Sequence, residues 1–400
     1  MQVGVVGKPN TGKSTFFSAA TLVQVAIANY PFTTIKPNHG ISYVRSKCVH
    51  PGLGVTDNPK NSKCIDGERF IPVDLVDTAG LVPGAWEGRG LGNRFLDEVR
   101  KADALIHVID TSGSTDLDGK PVKMGSHDPL EDVKFLEHEL DMWMVQILQK
   151  DWDKLAKKAE MAGEDPAKIV SEKLSGLGIR EFQAEAALKQ VGIGEKPSAW
   201  SREDLLRLVE SLRKLAKPML LVANKMDLPY SEDNLKRLLD TGLPTIPACS
   251  EAELALRRAT EKGLINYHPG DRDFTISSKA QLSPEQKTAL EIIRERVLNV
   301  QDTTGVQNAI NSAFFKLLDM IVVYPVEDPE RLTNHDGEVL PDAYLVPRGT
   351  TLKQMASMIH TELGAQMLYG VNARDKMRLA DTYLLKDGDV VSIVSAAQRK

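Results

Sequence analysis

The sequence predicts an α/β fold built on a mostly parallel sheet, interrupted by a helical insertion and followed by a small, separate α+β module. Two observations predict it. Short apolar runs at Val3–Val6, Ile71–Val76, Ala104–Ile109 and Met219–Ala223 alternate with helical patterns such as Ser14–Ala28. Runs of this kind are strands buried on both faces, and their alternation with helices is that of a parallel sheet covered on both sides. The composition then leaves this rhythm twice, first between two of the strands and again towards the end of the chain.

Taken in order, Ile41–Val44 is β-branched and reads as an additional edge strand. From about Thr111 to Lys217 the chain is rich in Glu, Lys, Ala and Leu, with helical apolar spacing in Leu130–Asp151 and Asp204–Leu215 and punctuation at Pro166, Gly176, Gly178 and Pro197. This reads as a helical insertion, most simply a solvated hairpin, with a partner-binding surface as the alternative. Helical patterns resume from Glu251 to Leu318. Beyond them, Ile321–Val326, Ala343–Val346 and Val390–Val394 are strand-like, Thr351–Leu363 is an amphipathic helix, and Asp387-Gly388-Asp389 supplies a turn. The expected domains are 1–111 with 218–319 for the sheet and its helical extension, 112–217 for the insertion, and 320–400 for the C-terminal module.

The 400 residues carry a net charge of -5, which gives no global pull towards nucleic acid or anionic lipid. Three cysteines, Cys48, Cys64 and Cys249, fit unpaired thiols in a reducing compartment; no two of them have zinc half-site spacing. The first apolar strand begins at Val3, too early for a signal peptide, and no apolar run approaches the ~18 residues that span a bilayer. A cytoplasmic protein is expected, a monomer with no membrane association.

Gly7-Lys8-Pro9-Asn10-Thr11-Gly12-Lys13-Ser14, followed by Thr15, fits the phosphate-loop pattern and lies between a strand and a helix. Its backbone N–H groups, from Asn10 through Thr15, form a concave anion site reinforced by the helix N-terminus. Lys13 is suited to bridge the outer phosphates, and Ser14 Oγ to bind Mg2+. Asp74-Leu75-Val76-Asp77-Thr78-Ala79-Gly80 closes a later strand, placing Asp77 for the metal and the Gly80 N–H for a γ-phosphate oxygen. Between these motifs, Asn29-Tyr30-Pro31-Phe32-Thr33-Thr34 is the expected switch loop, with Thr34 (Thr33 as alternative) as a further metal ligand. Gly84, Gly88, Gly90 and Gly92 suit a segment that re-folds between states. These parts predict a P-loop NTPase fold for the parallel-sheet domain.

Asn224-Lys225-Met226-Asp227 follows the strand Met219–Ala223. The Asp227 carboxylate there can accept from guanine N1–H and the 2-amine, whereas adenine offers an acceptor at N1 and no 2-amine. Such a polar site discriminates by ~10⁴ or more. Asn224 is expected to tie this loop to the phosphate loop, and Lys225 to stack its stem over the base. Ala248-Cys249-Ser250-Glu251 is expected to bring a backbone N–H of Cys249 or Ser250 to guanine O6; a helix N-cap at Ser250 is the alternative.

Together these residues resemble the Obg-like branch of the translation-factor-class GTPases. The resemblance is carried by Gly7–Thr15, Asn29–Thr34, Asp77-Thr-Ala-Gly-Leu-Val-Pro-Gly84 and Gly88-Arg-Gly-Leu-Gly-Asn-Arg-Phe-Leu96. Leu345–Lys353 and Leu385–Ile393 resemble a TGS domain, a small β-grasp fold. The resemblance implies nucleotide-dependent binding to ribosomes or RNA, and K+ held beside the phosphates through Asn10, whose plainer role is a loop-bracing hydrogen bond. A sister group, the YchF-like proteins, departs from the guanine motif and prefers ATP; the presence of Asp227 supports GTP and GDP as ligands. Residues 320–400 hold nine Lys and Arg against eleven Asp and Glu, so the RNA expectation has no support from charge.

Leu81 occupies the position where many GTPases place a water-orienting glutamine, which predicts slow hydrolysis aided by Lys13, Thr34, Gly80 and Asn10. His107, His138 and the Met142-Trp143-Met144 cluster read as packed or solvated rather than catalytic. Three functions follow from the residues: a slow GTPase switch, a nucleotide-sensing ribosome adaptor with negligible hydrolysis, or an ATPase.

Overall fold

The computed structural model describes residues 1–21, 39–88, 92–194 and 196–396. The chain forms two compact units. One contains the N-terminal residues and Asp74–Ala309; the other contains Ile41–Val73 and the chain from Ile310 onward. The stretch Ile41–Val73, expected within the nucleotide-binding domain, thus belongs to the same unit as the C-terminal residues.

The strands of the N-terminal part are β1 (Gln2–Val6), β2 (His39–Lys47), β3 (Lys63–Ile65), β4 (Glu68–Asp77), β5 (Ala104–Asp110), β6 (Met219–Asn224) and β7 (Thr245–Pro247). In the first unit the end of β4, then β1, β5, β6 and β7 lie side by side, all parallel, with Val3 opposite Leu75 and Ala104, and Ile106 opposite Leu220. The apolar runs make this possible: Val3, Val5, Leu105, Ile106, Leu221 and Val222 are completely buried, as strands covered on both faces require. This is a doubly wound order, in which connections from the central strand turn opposite ways and leave a crevice at the strands' C-terminal ends. The loops after β1, β4, β5 and β6 all emerge there.

The helix Pro129–Gln149 serves two cores. Val133, Leu136 and Leu140 pack with the sheet residues Val6, Leu105, Ile109 and Leu221. One turn later Met144, Val145 and Leu148 enter a second cluster with Trp152, Ile169, Val170, Leu208 and Leu212. Among the described residues the insertion is therefore a body of five α-helices with its own core (Pro129–Gln149, Trp152–Ala162, Pro166–Lys173, Glu181–Val191 and Arg202–Ala216), rather than the expected hairpin. Three of its helix starts are sequence-encoded caps. Asp128 accepts from Leu130 N, Asp165 from Ala167 N, and Ser201 forms a capping box with Asp204. Trp152 and Trp200 stack at 5.4 Å and close the cluster. Trp143 packs against both cores, as expected of a packing residue.

In the second unit the beginning of β4 pairs with β3 through a two-residue turn, Asp66-Gly67, both at positive φ, which matches the strand twist. The C-terminal sheet has the order Tyr344–Pro347, Met320–Val326, Asp389–Ser395, Met367–Asn372, Arg378–Leu379. Met320–Val326 and Asp389–Ser395 are its parallel pair. The helix Leu352–Ile359, capped by Thr351, buries Leu352, Met355 and Ala356 on Ile321, Val323, Val391 and Ile393. Met367–Asn372 carries little strand signal in its sequence: it contains a glycine, and only Gly370 within it is buried. Among the described residues no helix is long and apolar enough to cross a membrane.

His107, on β5, is buried, and its Nδ1 has no hydrogen-bond partner. Burial pushes its imidazole down to about 4. Above pH ~6.5 the ring is neutral in both folded and unfolded chains and contributes no pH dependence. As pH falls from there towards 4, only the unfolded chain takes up the proton, so stability declines across that window. His107→Leu should flatten this part of the acid limb when urea midpoints are compared between pH 4 and 7.

Candidate nucleotide-binding site

The phosphate loop runs from Gly7 to Gly12 between β1 and the helix Lys13–Thr21, which anchors itself by burying Phe16, Ala19 and Ala20. Two glycines have no substitute here. Gly7 sits at φ +152 with a virtual Cβ 2.6 Å from Val108 O; Gly12 sits at φ +92 with one 2.2 Å from Asn224 Nδ2. Asn10 also adopts positive φ, which asparagine tolerates. At the helix start, Lys13 Nζ lies 2.9 Å from Asp77 Oδ1 and also donates to Thr78 O. The Ser14 side chain is exposed in the first helical turn, and Gly80 lies against Pro9. A lysine and a carboxylate thus meet at the start of this helix, with the exposed Ser14 hydroxyl on the next residue, a donor set suited to a polyphosphate with a hard divalent cation. Thr33 and Thr34 lie outside the described residues.

The base motif is joined to this loop by side-chain hydrogen bonds. Asn224 Nδ2 donates to Thr11 O at 2.9 Å, and Asn224 Oδ1 accepts from Ser250 N at 3.0 Å and Ser250 Oγ at 2.9 Å. Lys225 Nζ donates to Asn10 O at 3.0 Å. Asp227 is exposed, and Cys249 Sγ donates to its Oδ1 at 3.1 Å. The expected N–H for guanine O6 needs correction at both residues: the Cys249 N–H is engaged by Thr304 O, and the Ser250 N–H by Asn224 Oδ1. Cys249, not Ser250, is the N-cap residue of the helix Ser250–Glu261, and its thiol orients the carboxylate instead.

A second set of residues escaped the sequence reading. Asp110, at the end of β5 and completely buried, accepts from Ser112 Oγ at 2.6 Å, Ser114 Oγ at 2.7 Å, Thr115 Oγ1 at 3.0 Å and Lys225 Nζ at 2.9 Å. Burial alone would raise its carboxyl; the bonds from Ser112, Lys225 and Ser114 outweigh that and hold it below the usual range. The signal was an acid ending a strand before Thr111-Ser112-Gly113-Ser114-Thr115. Lys8, within the phosphate loop, is buried and donates to Asp132 Oδ1 and Thr115 O, both at 2.8 Å. His127 Nε2 meets the same Asp132 oxygen at 2.7 Å. The first insertion helix therefore grips the loop directly.

Three further hydrogen bonds, all accepted by two acidic side chains, hold the segment after Asp77. Glu139 accepts from Gly84 N at 2.8 Å and Trp86 N at 3.0 Å, and Glu98 accepts from Ala79 N at 3.0 Å. Leu81 is 1 % exposed and packs in the sheet core, so its position provides no group to orient a water. Asn10 Nδ2 donates to Gly119 O at 2.9 Å, a bracing bond to the loop after β5. His138 is exposed.

Fold and site define a P-loop G domain carrying a helical insertion and followed by a C-terminal TGS domain. Three family models match the chain: a 50S ribosome-binding GTPase over residues 2–139, an Obg-like GTPase, YGR210-like, G4 motif-containing domain over 222–328, and a TGS domain over 332–395. An uncharacterized GTP-binding protein of Methanocaldococcus jannaschii is 48% identical over 398 residues, 99% of each chain. The ribosome-binding ATPase YchF of Bacillus subtilis is 32% identical over 98% of each. A crystal structure of a GTP binding protein from Pyrococcus horikoshii superimposes with a TM-score of 0.79 at 39% identity, covering 99% of this chain and 100% of that one. The chain belongs to the Obg-like/YchF-like family of GTP-binding proteins.

Removing Asp132 would leave the Lys8 ammonium buried without its carboxylate. Asp132→Ala should therefore cost about 3–5 kcal/mol, and the double replacement Lys8→Met with Asp132→Leu should recover most of it. Urea unfolding of the three proteins checks both.

Proposed function

We propose that this chain binds GTP and GDP with Mg2+ and hydrolyses GTP slowly, as a switch that governs association with the ribosome. The observation that carries the reading is the exposed Asp227 carboxylate, oriented by the Cys249 thiol and linked through Asn224 to the phosphate loop. An anionic acceptor at this place favours guanine over adenine. Lys13 and the N–H groups of Asn10–Thr15 bind the phosphates, and Gly80 contacts the terminal one. Ser14, Asp77 and Thr34 would hold Mg2+, which supplies charge neutralisation at the phosphates when bound. The buried Leu81 supports slow turnover. Ribosome association is supported by the matching family description and by the name of the Bacillus subtilis relative; in this reading the chain acts in the cytoplasm as a monomer.

Equilibrium titration of purified protein with labelled GTP, GDP and ATP tests the base reading; a preference for ATP would overturn it. Asp227→Asn should weaken GTP binding roughly ten- to hundredfold and shift preference towards xanthine nucleotides, whose 2-oxo group accepts from the new amide. Cys249→Ala should weaken GTP roughly fivefold, while Cys249→Ser, which keeps a donor, should stay near wild type.

Asn10 carries a finer element of the proposal, a K+ ion beside the phosphates that offsets developing charge. Steady-state phosphate release should then fall when Na+ replaces K+ at constant ionic strength, and equal rates in the two salts would remove K+ from the mechanism. Co-sedimentation with ribosomes in GTP against GDP tests the switch.

A further inference from the structure

In the second unit, two thiols, an imidazole and a carboxylate meet at one point. The metal-ligating atoms of Cys48, His50, Asp57 and Cys64 all lie within 4.8 Å of one another. Cys48 Sγ is 3.3 Å from Asp57 Oδ2, Cys64 Sγ is 3.5 Å from His50 Nδ1, and His50 Nδ1 is 3.4 Å from Asp57 Oδ2. A tetrahedron drawn with ordinary zinc bond lengths has edges of about 3.3 Å between N and O and about 3.5 Å between S and either. The three separations match the edges of such a polyhedron.

From these observations we propose that Cys48, His50, Asp57 and Cys64 form a structural binding site for one zinc-class divalent cation. Two thiolates with one imidazole and one carboxylate form a soft-to-borderline set that selects zinc over magnesium or calcium. Charge closes as well: two thiolates and Asp57 carry three negative charges, the fully buried Arg69 returns one, and a divalent ion neutralises the remainder. Arg69 Nη1 holds Asp57 Oδ2 at 2.6 Å while its Nη2 donates to Leu340 O at 2.6 Å, the kind of outer partner that orients a ligating carboxylate.

Among the described residues, the chain around the site also has little apolar support. From Pro51 to Lys60 no residue is buried, so the excursion between Cys48 and Cys64 has no apolar core of its own. Its backbone is held by Cys48 N to Gly67 O, Asn58 N to Val339 O and Lys60 N to Pro341 O, all within the same unit. A metal joining both ends of such an excursion to its middle supplies what burial does not. This site is independent of the nucleotide reading.

The test uses the full-length protein, stripped of metal and kept under a non-thiol reductant. Titration with Co2+ should give thiolate-to-cobalt charge-transfer and tetrahedral d–d bands that saturate at one ion per chain, and one equivalent of Zn2+ should abolish them. Cys64→Ser should lose about half the charge-transfer intensity, with one thiolate of two removed. The double variant Cys48→Ser with Cys64→Ser should show none. Wild-type protein that gives no thiolate–cobalt band, or a band that persists in the double variant, would overturn the proposal.

Discussion

Asn224 uses both ends of its buried amide, donating through Nδ2 to Thr11 O and accepting through Oδ1 from the N–H and hydroxyl of Ser250. One side chain therefore ties the Gly7–Gly12 loop to the loops at Asn224–Asp227 and Ala248–Ser250. The geometry leaves no slack. A Cβ on Gly12 would sit 2.2 Å from the same nitrogen, so the phosphate loop must pass Asn224 as bare backbone. Hydrogen bonds in a buried, low-dielectric setting polarise one another, which makes an amide bonded at both ends at this junction worth more than its bonds counted singly.

Around that junction the helical insertion acts as part of the site. Lys8, from the phosphate loop, reaches Asp132 on the first insertion helix, and Glu139, two turns further along, holds the backbone of Gly84 and Trp86. The same helix continues into the insertion's own core through Met144, Val145 and Leu148. Any movement of the segment after Asp77 must break or carry these bonds. The phosphate loop, the segment after Asp77 and the insertion's core are thus all bonded to or packed on one helix.

Asp110 shows how much polar bonding a buried charge needs at such a place. Three hydroxyls from the following loop and the Lys225 ammonium satisfy it, and Lys225 also donates to Asn10 O. The carboxylate thus sets the course of the loop after β5, which reaches Asn10 again through Gly119 O. In the second unit Arg69 plays a comparable part: completely buried, it satisfies Asp57 and the Leu340 carbonyl while lying 5.6 Å from the Tyr324 ring centroid.

The parallel sheet and the P-loop, Asp77–Gly80 and Asn224–Asp227 motifs were legible in the sequence because each is local: a short apolar run, then a loop whose residue types are imposed by one ligand. The insertion's helicity was legible for the same reason, through its caps and apolar spacing. Its form as a five-helix body was not, since whether amphipathic helices fold back as a hairpin or close around Trp152 and Trp200 depends on contacts across more than forty positions. The meeting of Cys48, His50, Asp57 and Cys64, the pairing of Lys8 with Asp132, and the Cys249 thiol on Asp227 lay equally out of reach. Spacing in a sequence records which residues a helix or strand brings together; the meeting of side chains from different elements is set by the packing of those elements, and only the tertiary structure decided it.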